Sequence, residues 1–440
     1  MKLFGFQLLV IYITINTVVI SQNKKNNYLE VSTEASNEVS YIDDFEESSH
    51  FYPIDNAITN DNTFVVSQSK LGKFTPLTGN LAQLQYFFRA LKNIKNKKVR
   101  IAHYGDSIIM GDIITENIRK NYQQNYSGKG VGFVSIISDD FRMRRTILQS
   151  YSNDWEYASF VTRNSEHLPY GVNGSVAVPK IGSWVKFETT QFYKSIQSFD
   201  NVKIYYSNAG KNSVIEYFLD NSTSQKINLS EGDEVQEIII QAKDSKKFEL
   251  RFLGGKQPFF YGVNFDSDYG IYVDNFSMRG NTGISLLDIN PKTLHEFNKF
   301  LDYDLIIFNY GANVSSPNKG IYTLYENKMV SVIEEFKKIF PSTSFLLVSV
   351  ADKTTKRGSE FITNSDVPLL LEAQKTIVQK TNIAFWNLWD AMGGNNSMNT
   401  WVNAVPPQAL KDYAHFTPDG GIRVGELLYM AIQDAFDKAK

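Results

Sequence analysis

Lys98-Val99-Arg100-Ile101-Ala102-His103-Tyr104-Gly105-Asp106-Ser107 is the stretch on which the reading of the fold turns. Residues 98–104 alternate β-branched and other side chains, which predicts a strand. Gly105-Asp106-Ser107 then ends it with turn formers. From Ile113 to Tyr122 the apolar positions fall at helical spacing. Strand, tight turn and helix in succession open an α/β layout. A helical pattern over residues 80–95 precedes the strand.

The same rhythm returns from residue 271. Asp304-Leu-Ile-Ile-Phe-Asn-Tyr310 reads as a buried strand, 321–339 as a helix, and Ser344-Phe-Leu-Leu-Val-Ser-Val350 as a second buried strand. A helix over 366–380 and a short strand at Ile383–Trp386 follow. Thr417-Pro418 starts the last helix, with Thr as N-cap and Pro in the first turn. Buried strands that alternate with helices predict a parallel sheet.

Residues 150–270 break that rhythm. Asn201-Val-Lys-Ile-Tyr-Tyr, Ser213-Val-Ile-Glu-Tyr-Phe, Glu237-Ile-Ile-Ile-Gln and Lys247-Phe-Glu-Leu-Arg-Phe are separated at short intervals by turn formers such as Asn208-Ala-Gly, Glu231-Gly-Asp and Gly254-Gly. Short strands at that spacing predict a β-sandwich. The expected organisation is therefore an α/β domain in two parts, 76–149 and 271–440, with an all-β insertion between them.

Composition narrows the function. The chain has 440 residues, 42% of them apolar and 14% aromatic, enough for a sizeable core. Its net charge of −2 gives no basic footprint for nucleic acid. Cysteine is absent, which excludes disulfide scaffolds, thiolate metal sites and thiol nucleophiles; five histidines are too few for a histidine-rich metal site. Met1-Lys2 followed by an apolar run to Ile20 reads as a signal peptide over 1–21, the alternative being an uncleaved membrane anchor. Residues 22–62 hold nine acidic residues against Lys24 and Lys25, so 22–75 is expected to be a solvated acidic linker.

Ligands of open α/β sheets bind at the carboxyl ends of the strands, and four features fall there. Ser107 sits on the turn after the first strand. The loop Asn275-Phe-Ser-Met-Arg-Gly280-Asn281 offers a backbone N–H at Gly280, and Asn309-Tyr-Gly-Ala-Asn313 offers a side-chain amide. Asp412-Tyr-Ala-His415 places a carboxylate where it can fix a histidine tautomer, leaving the other ring nitrogen as a base. Each feature alone is an ordinary turn, cap or surface pair. Together they make a nucleophile, a base, its orienting carboxylate and oxyanion donors.

Their order along the chain resembles that of the SGNH (GDSL-type) hydrolases. Tyr104-Gly-Asp-Ser107 matches the first block of that family, Gly280 the second, Gly311-Ala-Asn313 the third and Asp412-x-x-His415 the fifth. The match covers 98–133 and 271–437, roughly half the chain. It departs at Ile108, where the family usually has Leu, and at Val314, where Asp is frequent. The resemblance implies a flavodoxin-like three-layer α/β domain. It implies Ser107 as nucleophile, His415 as base and Asp412 as its partner. The backbone N–H groups of Ser107 and Gly280 and the Asn313 side chain would form the oxyanion hole. It also implies no metal or cofactor. An inserted β domain resembles the arrangement in peptidoglycan O-acetylesterases of the family. The expected function is thus an exported serine esterase acting on an O-acylated polysaccharide. An acyltransferase with the same triad and a non-catalytic glycan-binding surface protein are the alternatives. A membrane partner is expected only if the N-terminal segment is retained, and the oligomeric state stays open.

Two smaller readings complete the sequence. Gly128-Lys-Gly130-Val-Gly132-Phe133 lacks the ending of a phosphate loop and is expected to line the active-site rim. Arg142, Arg144 and Arg145 form a basic cluster, either a solvated face or a contact for an anionic glycan. Among the other histidines, His103 is expected to be structural or to support the site from behind Ser107, His50 falls in the linker, and His167 and His295 have no acidic partner in a comparable motif.

Overall fold

The computed structural model describes residues 71–439 apart from Asn96, Asp139 and 315–319. The expected signal peptide and most of the acidic linker, His50 included, lie outside the described residues.

The strand Lys98–Gly105 lies inside a six-stranded sheet. The order across it is Thr78–Gly79, Ala384–Trp386, Ser344–Val348, Leu305–Asn309, Lys98–Gly105 and Gly270–Ser277. Only the pairing of Thr78–Gly79 with Ala384–Trp386 is antiparallel; the others are parallel. Alternation along the strands explains the two faces. Val99, Ile101, Leu305, Ile307, Leu346 and Val348 share one apolar cluster with Phe87, Ile118, Tyr122, Leu427 and Leu428. These come from helices Gln85–Lys92, Thr115–Tyr126 and Pro418–Lys438. Ala102, Tyr104, Ile306, Phe308, Phe345 and Leu347 share the other with Phe297, Val332, Phe336 and Ile377. Those come from helices Pro291–Leu301, Gly320–Ile339 and Asp366–Thr381. The result is helix, sheet and helix in three layers. Thr417 caps the last helix through its hydroxyl, which accepts from the Gly420 N–H at 3.2 Å.

Two antiparallel sheets fill the middle of the chain. One runs Gln225–Asn228, Val214–Leu219, Lys247–Gly254, Trp184–Thr189, Ile147–Tyr151. The other runs Gln236–Ser245, Phe199–Ser207, Phe259–Asp266, Ser175–Val178, Glu156–Ser159. Val185, Phe187 and Phe248 of the first share a cluster with Val202, Ile204, Val263 and Phe265 of the second. Tyr205 and Tyr261 face the other way and meet Phe297 at ring separations of 5.9 and 5.3 Å. Among the described residues, no helix is long and apolar enough to cross a membrane.

Antiparallel pairing begins at Gly132–Ser135, which pairs with Phe259–Asp266, ahead of position 150. Glycines hide this start from a periodicity reading. Gly132 has φ +79° and passes so close to Asp274 that a Cβ there would lie 2.2 Å from its carboxylate oxygen. The preceding glycines also correct the expectation of an active-site rim. Ser127 O accepts from Ile271 N at 3.0 Å and Gly128 packs on Gly270. Gly270 pairs with Lys98, so this loop lies at the amino ends of the parallel strands, opposite Ser107.

A buried ionic cluster joins the parallel sheet to the antiparallel one. Arg100 donates to Asp266 (2.7 Å), to Asn264 (3.0 Å) and to Asp274 (3.3 Å). Asp274 also accepts from Tyr303 OH at 2.8 Å and Phe133 N at 2.8 Å. A charge so far from water is tolerated only when paired and hydrogen-bonded in this way.

Candidate active site

Sheet order sets the position of Ser107. The chain leaves Lys98–Gly105 for Gly270–Ser277 on one side and then crosses to Leu305–Asn309 on the other. The carboxyl end of Lys98–Gly105 is therefore a switch point, where a crevice opens between diverging loops. Ser107 begins the short turn Ser107–Asp112 at that end. Asp106 caps the turn, its Oδ1 accepting from Ile108 N at 3.0 Å. Its Oδ2 accepts from Gly311 N and Ala312 N, both at 3.0 Å. Sequence reasoning gave Asp106 no role, yet it fastens the serine turn to the loop carrying Asn313. Burial pushes its carboxyl up to about 6, against the pull of those three N–H donors.

Ser107 and His415 meet across the whole chain. Ser107 Oγ lies 2.8 Å from His415 Nε2. His415 Nδ1 lies 2.7 Å from Asp412 Oδ2. A carboxylate at Nδ1 selects the tautomer protonated there, so Nε2 is left to accept from the serine hydroxyl. Asp412 Oδ1 accepts from Ala414 N at 2.9 Å and His415 N at 3.1 Å. Burial opposes the charge on Asp412, but its bonds to the His415 ring and to these N–H groups outweigh it and hold the carboxyl below the usual range.

The loop that carries this pair is held at several points. Leu410 N donates to His415 O at 2.8 Å and Thr354 N donates to Tyr413 O at 3.1 Å. Tyr413 has φ +57°, an uncommon conformation for a residue with a large side chain. Its ring stacks on Phe361 at 4.0 Å with 6° between planes. Phe361 belongs to the hairpin Thr354–Arg357 and Glu360–Thr363. That hairpin was not legible in the sequence, because its lysine, arginine and glutamate residues break any apolar pattern.

Gly280 and Asn313 follow the two strands that flank Lys98–Gly105. Asn313 Nδ2 donates to Asn281 O at 3.0 Å, tying their loops together. Gly280 is exposed, with φ +78° and open space where a Cβ would stand. Among the described residues, no hydrogen bond links either one to Ser107; sheet order brings them to the same end.

The remaining histidine readings resolve plainly. His103 is fully buried, with Nδ1 2.9 Å from Thr115 Oγ1, and burial pushes its ring down to about 4. It is part of the sheet interior. Among the described residues, no three histidine or acidic side chains converge as metal ligands.

The fold has a counterpart among solved structures. One described as "Peptidoglycan O-acetylesterase in action, 5 min" superposes with a TM-score of 0.69 at 18% identity, over 82% of this chain and 99% of that one. A family two carbohydrate esterase from Cellvibrio japonicus reaches a TM-score of only 0.27 at 10% identity, over 67% of this chain and 99% of that one. No family model and no curated protein sequence matches this one. The resemblance read from the four sequence blocks and the first of these superpositions agree on the architecture: the chain has the fold of that solved structure.

Proposed function

We propose that the protein is an exported serine esterase that removes O-acyl groups, acetyl above all, from a polysaccharide. The observation that carries this reading is the hydrogen-bonded line Ser107 Oγ, His415 Nε2, His415 Nδ1, Asp412 Oδ2. Ser107 attacks the ester carbonyl while His415 takes its proton, and Asp412 balances the imidazolium that forms. The oxyanion of the tetrahedral intermediate is held by the N–H groups of Ser107 and Gly280 and by the Asn313 amide, which turns from Asn281 O to do so. Collapse returns the proton to the departing sugar oxygen. Water, deprotonated by His415, then hydrolyses the acyl-enzyme.

The glycan part of the reading rests on two supports. The neighbour that superposes over most of the chain is named for action on O-acetylated peptidoglycan, which makes peptidoglycan the first substrate to try. The middle segment 150–270, read as an inserted β-sandwich between α/β parts 76–149 and 271–440, gives one wall for a long substrate.

Acetate release from a panel of O-acetylated glycans, wild type beside Ser107→Ala, tests the proposal. Release by the wild type alone is the expected result. A protein that binds these glycans and hydrolyses neither them nor an aryl acetate would be a binding protein instead. Transfer of acetyl to an added sugar acceptor in preference to water would make it an acyltransferase.

A further inference from the structure

We propose that the cleft beside Ser107 is a carboxylate-binding subsite built on Arg144, and that the preferred substrate carries an acidic sugar near its acyl ester. The proposal rests on the esterase reading above and names the substrate class of that site.

The cleft lies between the two parts of the molecule. Met110, Ser277 and Met278 line it on one side, Asn173 and Ser175 on the other, with Arg144 between. It adjoins the nucleophile. Met110 belongs to the turn that Ser107 begins, Ser277 pairs in register with Gly105, and Met278 N donates to Gly105 O at 3.0 Å.

Three neighbouring arginines share this stretch of sequence, and the fold separates them. Arg142 is exposed, 5.3 Å over the Phe141 ring. Arg145 is bonded to Glu116 and lies 4.3 Å over Phe192. Arg144 turns inward, its side chain only 8% exposed. Its Nε donates to Thr146 Oγ1 at 3.1 Å and sits 3.6 Å from Asp112. Asp112 is already held by Arg119 through two bonds of 2.7 and 3.0 Å, so it cannot fully satisfy a second guanidinium. Arg144 Nη2 is buried with no partner.

An acceptor is left open in the same cleft. Asn173 uses its Nδ2 on Ser135, Ser175 and Tyr261 O, while its Oδ1 is buried without a partner. Asp140, which also lines the cleft, is occupied by Gly111 N, Ser277 Oγ and Ser138 Oγ. An unmet, charged donor beside an unmet neutral acceptor fits a carboxylate with a sugar hydroxyl beside it. The carboxylate accepts a charge-assisted bond from Arg144, and the hydroxyl donates to Asn173.

The test compares an acetylated oligouronate with the same oligomer after its carboxylates are reduced to alcohols. Hydrolysis of an aryl acetate, which is too small to span the cleft, is the reference. The wild type is expected to favour the acidic oligomer in kcat/KM by about 10- to 100-fold, chiefly through KM. Arg144→Gln should lower the ratio of oligouronate to aryl-ester turnover by a similar factor. Arg144→Lys, which keeps the charge and loses the planar fork, should fall between. Calorimetric binding of the two oligomers reads the subsite without turnover, so a protein that hydrolyses nothing loses the esterase reading and still decides this one. Equal affinity and turnover for the acidic and reduced oligomers would overturn the proposal. So would an Arg144→Gln protein that melts like the wild type and keeps the wild-type preference.

Discussion

Asp106 Oδ2 accepts the Gly311 N–H at 3.0 Å across 205 residues of sequence. The carboxylate next to Ser107 is thereby the bolt between the serine turn and the Asn313 loop. Its carboxyl sits at about 6, raised by burial, against roughly 4 in an unfolded chain. The folded state thus holds that proton more tightly. The stability this adds is full below about pH 4 and is lost as pH rises through about 6. Asp106→Asn removes the titration. The difference in unfolding free energy, wild type minus Asp106→Asn, is expected to shrink by about 2 kcal/mol between pH 4 and pH 6. Urea melts at several pH values measure it, and a flat difference would contradict the burial argument.

Asp412→Asn separates orientation from charge at the histidine. An amide N–H pointing at Nδ1 forces the ring proton onto Nε2, where Ser107 needs an acceptor. The expected loss is about 10³- to 10⁴-fold in kcat. Because Asp412 is about two-fifths exposed, the melting temperature should hardly move. A loss below tenfold would show that the histidine is oriented by its loop alone.

Phe361 is expected to act as a positioning residue, through Tyr413, rather than by touching substrate. Its stacking on Tyr413 braces the loop between Asp412 and His415. Removing such a pair costs about 0.5–1.5 kcal/mol. Phe361→Ala is expected to lower kcat by about 3- to 10-fold with KM little changed, and Phe361→Tyr to restore it. A change confined to KM would assign the hairpin to substrate contact instead.

Asp112 and Arg119 form a fully buried ion pair under the serine turn, with Arg119 also donating to Val273 O at 2.6 and 2.9 Å. Asp112→Ala strands two guanidinium groups, those of Arg119 and Arg144. It is expected to destabilise the protein by about 3–5 kcal/mol. The double variant Asp112→Leu with Arg119→Met should recover part of that. Denaturant midpoints of the wild type and the two variants decide, and a double variant no more stable than Asp112→Ala would show that the pair is not coupled.

The sequence made the sheet legible because Leu305–Asn309, Ser344–Val348 and Ala384–Trp386 are short, mostly apolar runs and because its helices are amphipathic. Lys98–Gly105, Leu305–Asn309, Ser344–Val348 and Ala384–Trp386 fall where the pattern put them. Ser107, Asp412 and His415 were legible as a set from motif order, and they meet in space. What pattern could not show is what depends on tertiary contact. Gly132–Ser135 is a strand made by its partner Phe259–Asp266, not by its own propensity. Helices Leu388–Met392 and Ser397–Val402 are too short to establish a period. Asp106 reads as a turn former, and its part in joining two loops depends on Gly311, far along the chain. The arginines 142, 144 and 145 look alike in sequence and differ only in which of them the fold buries.

The separation of 308 positions from Ser107 to His415 also imposes an order in time. At roughly 5–20 residues per second of synthesis, the serine precedes its histidine by about 15–60 s. For that interval the nascent chain holds a serine with no base beside it. On the proposed mechanism every fragment that stops short of residue 415 lacks the base, so truncated or half-made copies would neither consume substrate nor be trapped by a serine-directed acylating probe. Labelling by such a probe would therefore count only chains that were finished and closed.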